Sequence, residues 1–490
     1  MCSHVQEIPV TTRSRPNRFD LRCAGAVMLL ASAAALTVVE NIAADDQPTA
    51  DAAVLQAIGL DIPPGVVVAA EGQRVLTHDA LDAPVVGRLH VTVGDCRIVL
   101  LPDGQLVVRS VGDSPSTDRP FEPATKESIV RNLTSSASLR DCKTRETQHY
   151  VYLYTSSEAF AEITSRVLET MLRGVMTYAQ VQGIEVHPPE TPLTVVILRT
   201  ADEFHQFGRM PEGVVAYYNV LTNQIVMYEE SPLWQIKPAL AVREALATIA
   251  HEGAHQILHN IGVQQRLSLW PMWLNEGLAE FFAPTTTDRN LKWKGAGQVN
   301  DTRMYELEPW LRNPPTDAAD GQLVAQTVGA VRLTSAGYAV AWALTHYVAK
   351  NHRDEFHGIV RRYSRLGPLQ GDRRIVAPGG IPENVRVFKE YFGNDLADTE
   401  RRLIQYLSNL PYTDPFVDWP HYVAMVTVPD GRRIRRQADV FHSEEQAEHW
   451  CRNVIGRTPE SLRAAIQSTI RPFPNRVLAE NFARQWRQGG

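Results

Sequence analysis

Apolar positions recur along this chain with two periods, and the period changes near residue 150. From Arg88 to Val111 apolar and polar residues alternate, and Asp103-Gly104 separates the apolar runs Ile98–Leu101 and Leu106–Val108. Alternation around a two-residue Asp-Gly turn predicts a β-hairpin. The Ser/Pro/Asp stretch from Gly112 to Pro120 then reads as a linker or long loop. Tyr150–Tyr154 is a strand candidate, and Leu193–Leu198 and Gln224–Tyr228 follow as two more. Between them, Phe160, Ile163, Val167, Leu168, Met171 and Leu172 recur at helical spacing, which predicts a helix from Ser157 to about Gln182. A long helix is expected from Ala239 to about Asn260. Pro271 interrupts the chain, and a further helix begins near Leu274. Helical spacing returns over Ser335–Ala349, His352–Tyr363 and Val385–Leu410. Strands first and mostly helices afterwards predict an α+β arrangement.

After Pro411 the pattern restarts on a smaller scale. Tyr422–Val428, a Pro429-Asp430-Gly431 turn and a return strand precede a helix from Ser443 to Val454, which predicts a small α/β domain over residues 411–490. With 490 residues the chain exceeds what one core requires. The expected division is 1–44 as a signal peptide or membrane anchor, 45–147 as a β-rich region, 148–410 as the main α+β domain, and 411–490 as the last domain.

Composition narrows the function classes. Hydrophobic residues at 44% and charged residues at 21% suit a folded globular chain. A net charge of −6 supplies no broad basic field to neutralise phosphates, so nucleic acid is not expected as a partner. The short run Arg432, Arg433, Arg435 and Arg436 follows a turn and reads as a solvated strand pair rather than a binding patch. Arg13, Arg15, Arg18 and Arg22 precede an uncharged apolar run from Cys23 to Val39, then Ala43 and Ala44, then Asp45 and Asp46. A basic start, a short apolar stretch and small residues before an acidic one describe an export signal. Retention of residues 23–39 as an N-terminal membrane anchor is the alternative. Either reading puts the rest of the chain outside the cytoplasm, secreted or in the periplasm or cell envelope. Cys96 and Cys142 could pair there as a disulfide, leaving Cys451, and three free thiols are the other reading.

The candidate chemistry lies in the long helix. Ile249-Ala250-His251-Glu252-Gly253-Ala254-His255-Gln256 sets two histidines four positions apart, so both imidazoles leave one helix face toward one point. That gives a tetrahedral metal two ligands from one rigid element. Glu252 lies about 100° further round, where a carboxylate can take a proton from a metal-activated water. About twenty residues later, Trp273-Leu274-Asn275-Glu276-Gly277-Leu278-Ala279-Glu280-Phe281-Phe282 opens the next helix. Glu276 offers a third ligand. Glu280, one turn on, could accept the free N–H of a ligating histidine, His251 being the expected one. Two carboxylates at this spacing repel unless a cation lies by them. Without a metal, the same residues read as an acidic stripe on an amphipathic helix.

HEGAH followed by WLNEGLAEFF resembles the gluzincin clan of thermolysin-like and aminopeptidase-like zinc peptidases. More narrowly, residues 148–410 resemble the secreted bacterial peptidase MA-like domain family, which also carries an early strand with a His-Tyr pair, here His149-Tyr150, and a late aromatic-rich helix, here Ala336 to Tyr347. The resemblance implies a small mixed sheet followed by a helical lobe, with Zn2+ as cofactor. It implies His251, His255 and Glu276 as ligands, Glu252 as general base and Glu280 as the carboxylate that orients a histidine. Clan members often steady the oxyanion with a later Tyr or His. Tyr338 is the candidate here, against plain packing in a helix interface, and His346 is a second. His259 could face the same side as His255, or pack or point to solvent. The resemblance also suggests Gln224–Tyr228 as the edge strand that holds extended peptide, though an ordinary sheet strand needs no such role. The Gly-Ala-Met-Glu-Asn signature of aminopeptidases is absent; Pro211-Glu212-Gly213 and Tyr217-Tyr218 occupy the comparable region. The expectation is therefore a zinc endopeptidase acting on a peptide or protein. The alternatives are a catalytically silent zinc-binding envelope protein serving as a binding or assembly module, and a zinc hydrolase of another bond.

Overall fold

In the computed structural model, the described residues are 49–488 apart from 71, 209, 211–212, 232, 287–291, 313–319, 372–379 and 431–432. The export segment 1–44, with its apolar run 23–39, and Arg432 lie outside the described residues. Among the described residues, no helix is long and apolar enough to cross a membrane.

The first layer holds β1 (Thr49–Ala50), α1 (Ala52–Ala57), β2 (Gly65–Ala69), β3 (Arg74–His78), β4 (Pro84–Val93), β5 (Cys96–Leu100) and β6 (Leu106–Ser110). β4 pairs antiparallel with β2, β3 and β5, and β5 with β6. The β5–β6 turn falls on Asp103-Gly104, where Gly104 takes a φ of 88°, which a side chain rarely adopts. This turn docks on the middle of the chain. The buried Arg266 donates to Gly104 O at 2.5 Å and to Leu221 O at 2.9 Å. Leu267 shares a core with Val91, Val93 and Ile98. Cys96, Cys142 and Cys451 are free thiols, so the disulfide reading does not hold.

The central sheet comprises β7 (Lys143–Glu146), β8 (Tyr150–Tyr154), β9 (Leu193–Leu198), β10 (Ala216–Asn219) and β11 (Gln224–Tyr228), with α2 (Lys126–Thr134), α3 (Glu158–Val181) and α4 (Ala201–Gly208) between them. Its order is β10-β11-β9-β8-β7. The inner strands β8, β9 and β11 run parallel, and the two outer strands are antiparallel to their neighbours. Every residue of β8 and β9 is buried, which explains their unbroken apolar runs: a strand covered on both faces has no reason to alternate. The sequence pointed to Gln224–Tyr228 as the edge strand. That strand is internal, and β10 holds the edge instead, because the short turn at Leu221–Asn223 folds β10 back outside it.

A helical lobe follows: α5 (Leu233–Ile236), α6 (Pro238–Asn260), α7 (Met272–Phe282), a two-stranded ribbon β12 (Thr285–Thr286) and β13 (Lys292–Trp293), then α8 (Asp301–Arg312), α9 (Gln322–Gly329), α10 (Ser335–Asn351), α11 (Arg353–Ser364), α12 (Glu383–Phe392) and α13 (Leu396–Ser408). The stretch expected as one helix over Val385–Leu410 is two. Gly393 at φ 97° ends the first, and the Asp395 side chain caps the second by accepting from Asp398 N–H. One large core joins α3, α6, α7, α10 and the inner face of the central sheet.

The chain ends in β14 (His421–Asp430), β15 (Arg433–Phe441), α14 (Glu444–Arg457), α15 (Glu460–Arg463), β16 (Gln467–Phe473) and α16 (Arg476–Gln488). The antiparallel sheet has the order β15-β14-β16. Arg476 anchors this unit to α8 and the preceding loop, pairing with Glu308 at 2.5 Å and Asp414 at 2.6 Å.

Candidate metal centre

Residues Ile249 to Leu258 of α6 are all buried. A helix covered all round places polar groups inside only where something meets them. Gln256 shows this plainly: its amide donates to Thr194 O at 3.0 Å and Asn223 O at 2.8 Å, tying α6 to the sheet. On the opposite side His251 and His255 turn toward Glu276 of α7. Their Nε2 atoms are 3.3 Å apart, and Glu276 Oε2 lies 3.3 Å from His251 Nε2 and 3.4 Å from His255 Nε2. Three potential ligand atoms thus form a nearly equilateral triangle inside the protein, and this buried His-His-Glu group could hold a metal ion.

The carboxylate of Glu276 is aimed from behind. Asn275 Nδ2 donates to its Oε1 at 2.9 Å, and Gln264 Nε2 donates to Asn275 Oδ1 at 2.9 Å. Oε2 has no hydrogen-bond donor and is left for the triangle. Glu280, one turn on, brings Oε1 within 3.1 Å of His251 Nδ1. Arg303 holds that oxygen at 2.6 Å, and Asn300 donates to Oε2 at 2.9 Å. Arg303 and Asn300 went unread in the sequence, because α8 carries no clear apolar period to mark it as a helix against this site. Only a lone Arg among acidic residues was visible there.

Glu252 is fully buried, and its Oε2 accepts the backbone N–H of Tyr218 on β10 at 2.7 Å. Its Oε1 has no partner. Since Tyr218 N–H meets Glu252 rather than β11, its backbone faces the outer side of the sheet. The edge strand therefore borders the metal centre. Tyr338 is also brought in: its ring centroid lies 6.3 Å from that of His251, and the Arg303 guanidinium sits 5.8 Å over it. His346 is not. It lies two turns along α10 from Tyr338 and is held at Gly297 O and Tyr406 Oη. His259 bonds to His255 O at 2.8 Å and joins the group no more closely.

Charge inside the site is lopsided. With neutral imidazoles, as metal ligands, the carboxylates held ionised there, Glu276 and Glu280, face one guanidinium, Arg303. Burial opposes charge on His251, but Glu276 and Glu280 reverse that and lift it to about 10. Burial likewise opposes ionisation of Glu276 and Glu280. The histidines hold Glu276 well below the usual carboxylate range, and Arg303 holds Glu280 at about 2. Glu252 goes the other way, pushed up by its burial. Burial and the neighbouring carboxylates keep the Tyr338 hydroxyl well above its ordinary value, hence protonated. A buried excess of carboxylate is what a bound cation offsets, so the donor set fits a metal.

Fold and site together define an α+β protein with a buried, helix-borne His-His-Glu group able to hold a metal ion. Residues 245–370 are similar to the family described as "Protein of unknown function (DUF1570)". That stretch contains His251, Glu252, His255, Glu276, Glu280, Arg303 and Tyr338. No curated protein sequence matches the chain.

Proposed function

We propose that the chain is a zinc-dependent peptidase, with His251, His255 and Glu276 as ligands and Glu252 as general base. The triangle suits zinc and disfavours calcium. A tetrahedron with bonds of ~2.0–2.1 Å has edges of ~3.3–3.4 Å, which is the spacing of the two Nε2 atoms and Oε2. Calcium bonds of ~2.3–2.6 Å need wider separations and more oxygens. Three protein ligands leave a coordination position open, as in catalytic rather than structural sites. When bound, zinc supplies Lewis acidity, which polarises a carbonyl and makes water nucleophilic near neutral pH.

The observation that carries the hydrolytic reading is Glu252, with one oxygen anchored and the other buried beside the ligands without a partner. A protein that only stores the metal has no use for such a group. Oε1 takes the proton of the attacking water and passes it to the leaving amine, while the Tyr218 N–H keeps the carboxylate in place. The protonated Tyr338 hydroxyl donates to the oxyanion that develops on the substrate. The outward backbone of β10 pairs with an extended substrate and lays it along the site.

The test uses the chain from Asp45, zinc-loaded, beside its Glu252→Gln variant, each incubated with a diverse peptide mixture and read for new termini by mass spectrometry. Both should bind one zinc. The parent should cleave, and the variant should lose ~10²–10⁴-fold in rate. If both bind zinc and neither cleaves, the peptidase reading fails and a silent metal-binding module replaces it.

A further inference from the structure

We propose that the free edge of β15 docks an extended acidic peptide, independently of the metal centre. In the C-terminal sheet β14 is central, so one side of β15 is unpaired. α16 covers one face of the sheet, with Ala479 and Ala483 on Val423, Met425, Ala438 and Val440. α14 covers the other, with Ala447 and Cys451 on Ala424, Val426 and Phe441. A cleft of about 730 Å³ opens between the two helices. Six consecutive strand residues, 435–440, line it. A hollow on one sheet face would touch alternate residues only, so this cleft runs along the strand's open edge. The backbone agrees. Val440 N–H is taken by the side chain of Asp439 at 2.8 Å rather than by β14. Alternation then turns the N–H and C=O of Ala438 and Arg436 outward as well. Among the described residues, the strand-to-strand pairing of β15 is with β14 alone.

The walls of the cleft say what would pair there. Its two carboxylates are engaged within the protein: Glu480 pairs with Arg476 at 2.7 Å, and Asp439 and Glu480 reach Arg312 at 3.6 and 3.7 Å. Arg435 and Arg436 on the strand, Arg457 on α14, and Arg484 and Arg487 on α16 also line it, and all five are exposed. Among the described residues none of these five has a carboxylate partner; Arg436 stacks on Trp486 and donates to its backbone O at 3.5 Å. Successive side chains of an added strand point to opposite sheet faces. Acidic residues on one face therefore meet Arg457, and those on the other meet Arg484 and Arg487, with guanidinium–carboxylate geometry suited to both. A ligand with charge but no peptide backbone, such as polyphosphate or nucleic acid, would use the arginines and leave the strand edge unpaired. The run around Arg435 and Arg436, which by sequence reads as a solvated strand pair, is in this proposal half of a binding site.

The experiment is fluorescence anisotropy with the full chain and a labelled ten-residue Val/Thr peptide carrying glutamates on both faces. Its controls are the same peptide with Gln for Glu, two analogues N-methylated at alternate residues in either phase, and inorganic polyphosphate. The acidic peptide should bind at least tenfold more tightly than its Gln counterpart, with affinity falling as salt rises. One N-methylated phase should lose at least tenfold while the other binds. R435E/R484E/R487E, all surface changes, should lose at least tenfold with an unchanged Tm. The proposal is overturned if the Gln peptide binds equally well, if neither N-methylated phase matters, or if polyphosphate binds and the acidic peptide does not. None of these readouts uses zinc or cleavage, so failure of the peptidase reading leaves them intact.

Discussion

At the scale of residues, the centre depends on groups that do not touch the would-be metal. Glu280 reaches His251, and Arg303 and Asn300 fix Glu280. Arg303→Gln removes the cation that lets Glu280 stay ionised while buried. Breaking such a pair costs ~3–5 kcal/mol, and loss of an outer partner weakens metal binding ~10–100-fold. Titration of the variant with zinc under a competing chelator, beside a urea melt, should show both effects. Parent-like zinc affinity would mean that Glu280 positions nothing. In the sequence, His251, Glu252 and His255 were legible because the spacing within one helix is local, and Glu276 because the segment around it resembles the second motif of the gluzincin clan. Arg303 and the Tyr218 N–H were not, since each arrives from an element whose position no local pattern encodes.

At the scale of elements, the two motif glycines are packing residues. A Cβ on Gly277 would lie 2.1 Å from Thr345 Oγ1 and 2.8 Å from Ala341 O, so α7 and α10 touch backbone to backbone there. On Gly253 it would meet Leu168 Cδ2 at 2.4 Å, against α3. Gly277→Ala cannot be absorbed by a side-chain move alone, because a carbonyl of α10 is in the way. It should destabilise by ~1–3 kcal/mol and displace Glu276, seen as a lower Tm together with weaker zinc binding. Gly253→Ala should cost less, since Leu168 ends in a movable methyl group. Equal costs for the two would show that the backbone contact is not what matters. Among the elements, β8, β9, β11 and α3 match their apolar patterns closely. α8, α9, β16 and α16 were missed. β16 carries only two large apolar residues, Ile470 and Phe473, three positions apart and so out of alternation, and α8 carries Pro309 within it.

For the whole molecule, acid stability is set by histidines buried as neutral groups. His346 donates from Nε2 to Gly297 O and accepts at Nδ1 from the Tyr406 hydroxyl; His357 Nε2 meets the Tyr178 hydroxyl. Burial holds both at about 4. Above pH ~6.5 neither folded nor unfolded chain protonates them, and they cost nothing. As pH falls from ~6.5 toward 4, the unfolded chain takes up protons that the fold refuses, and each histidine withdraws up to ~3 kcal/mol. Below 4 the loss stops growing. Denaturant melts at pH 7, 5.5 and 4.5, with chelator present so that metal release does not contribute, should show this decline. The His346→Gln/His357→Gln chain should decline less steeply, and an identical slope would place the acid sensitivity elsewhere.

The sequence by itself determined the α+β class, the inner strands, the motif helix and the four residues that converge on the candidate centre. Most of these follow from periodicity and from chemistry carried within a few residues, and Glu276 from the resemblance of its segment to a known second motif. Only the tertiary structure decided that β10 rather than β11 is the edge, that His346 stands apart from the site, and that Arg303 supports it. It also decided that Arg435 and Arg436 line a cleft with arginines from three helices. Strand order and the meeting of distant side chains depend on which faces of remote elements bury one another, and that is a property of the packed chain rather than of any stretch of it.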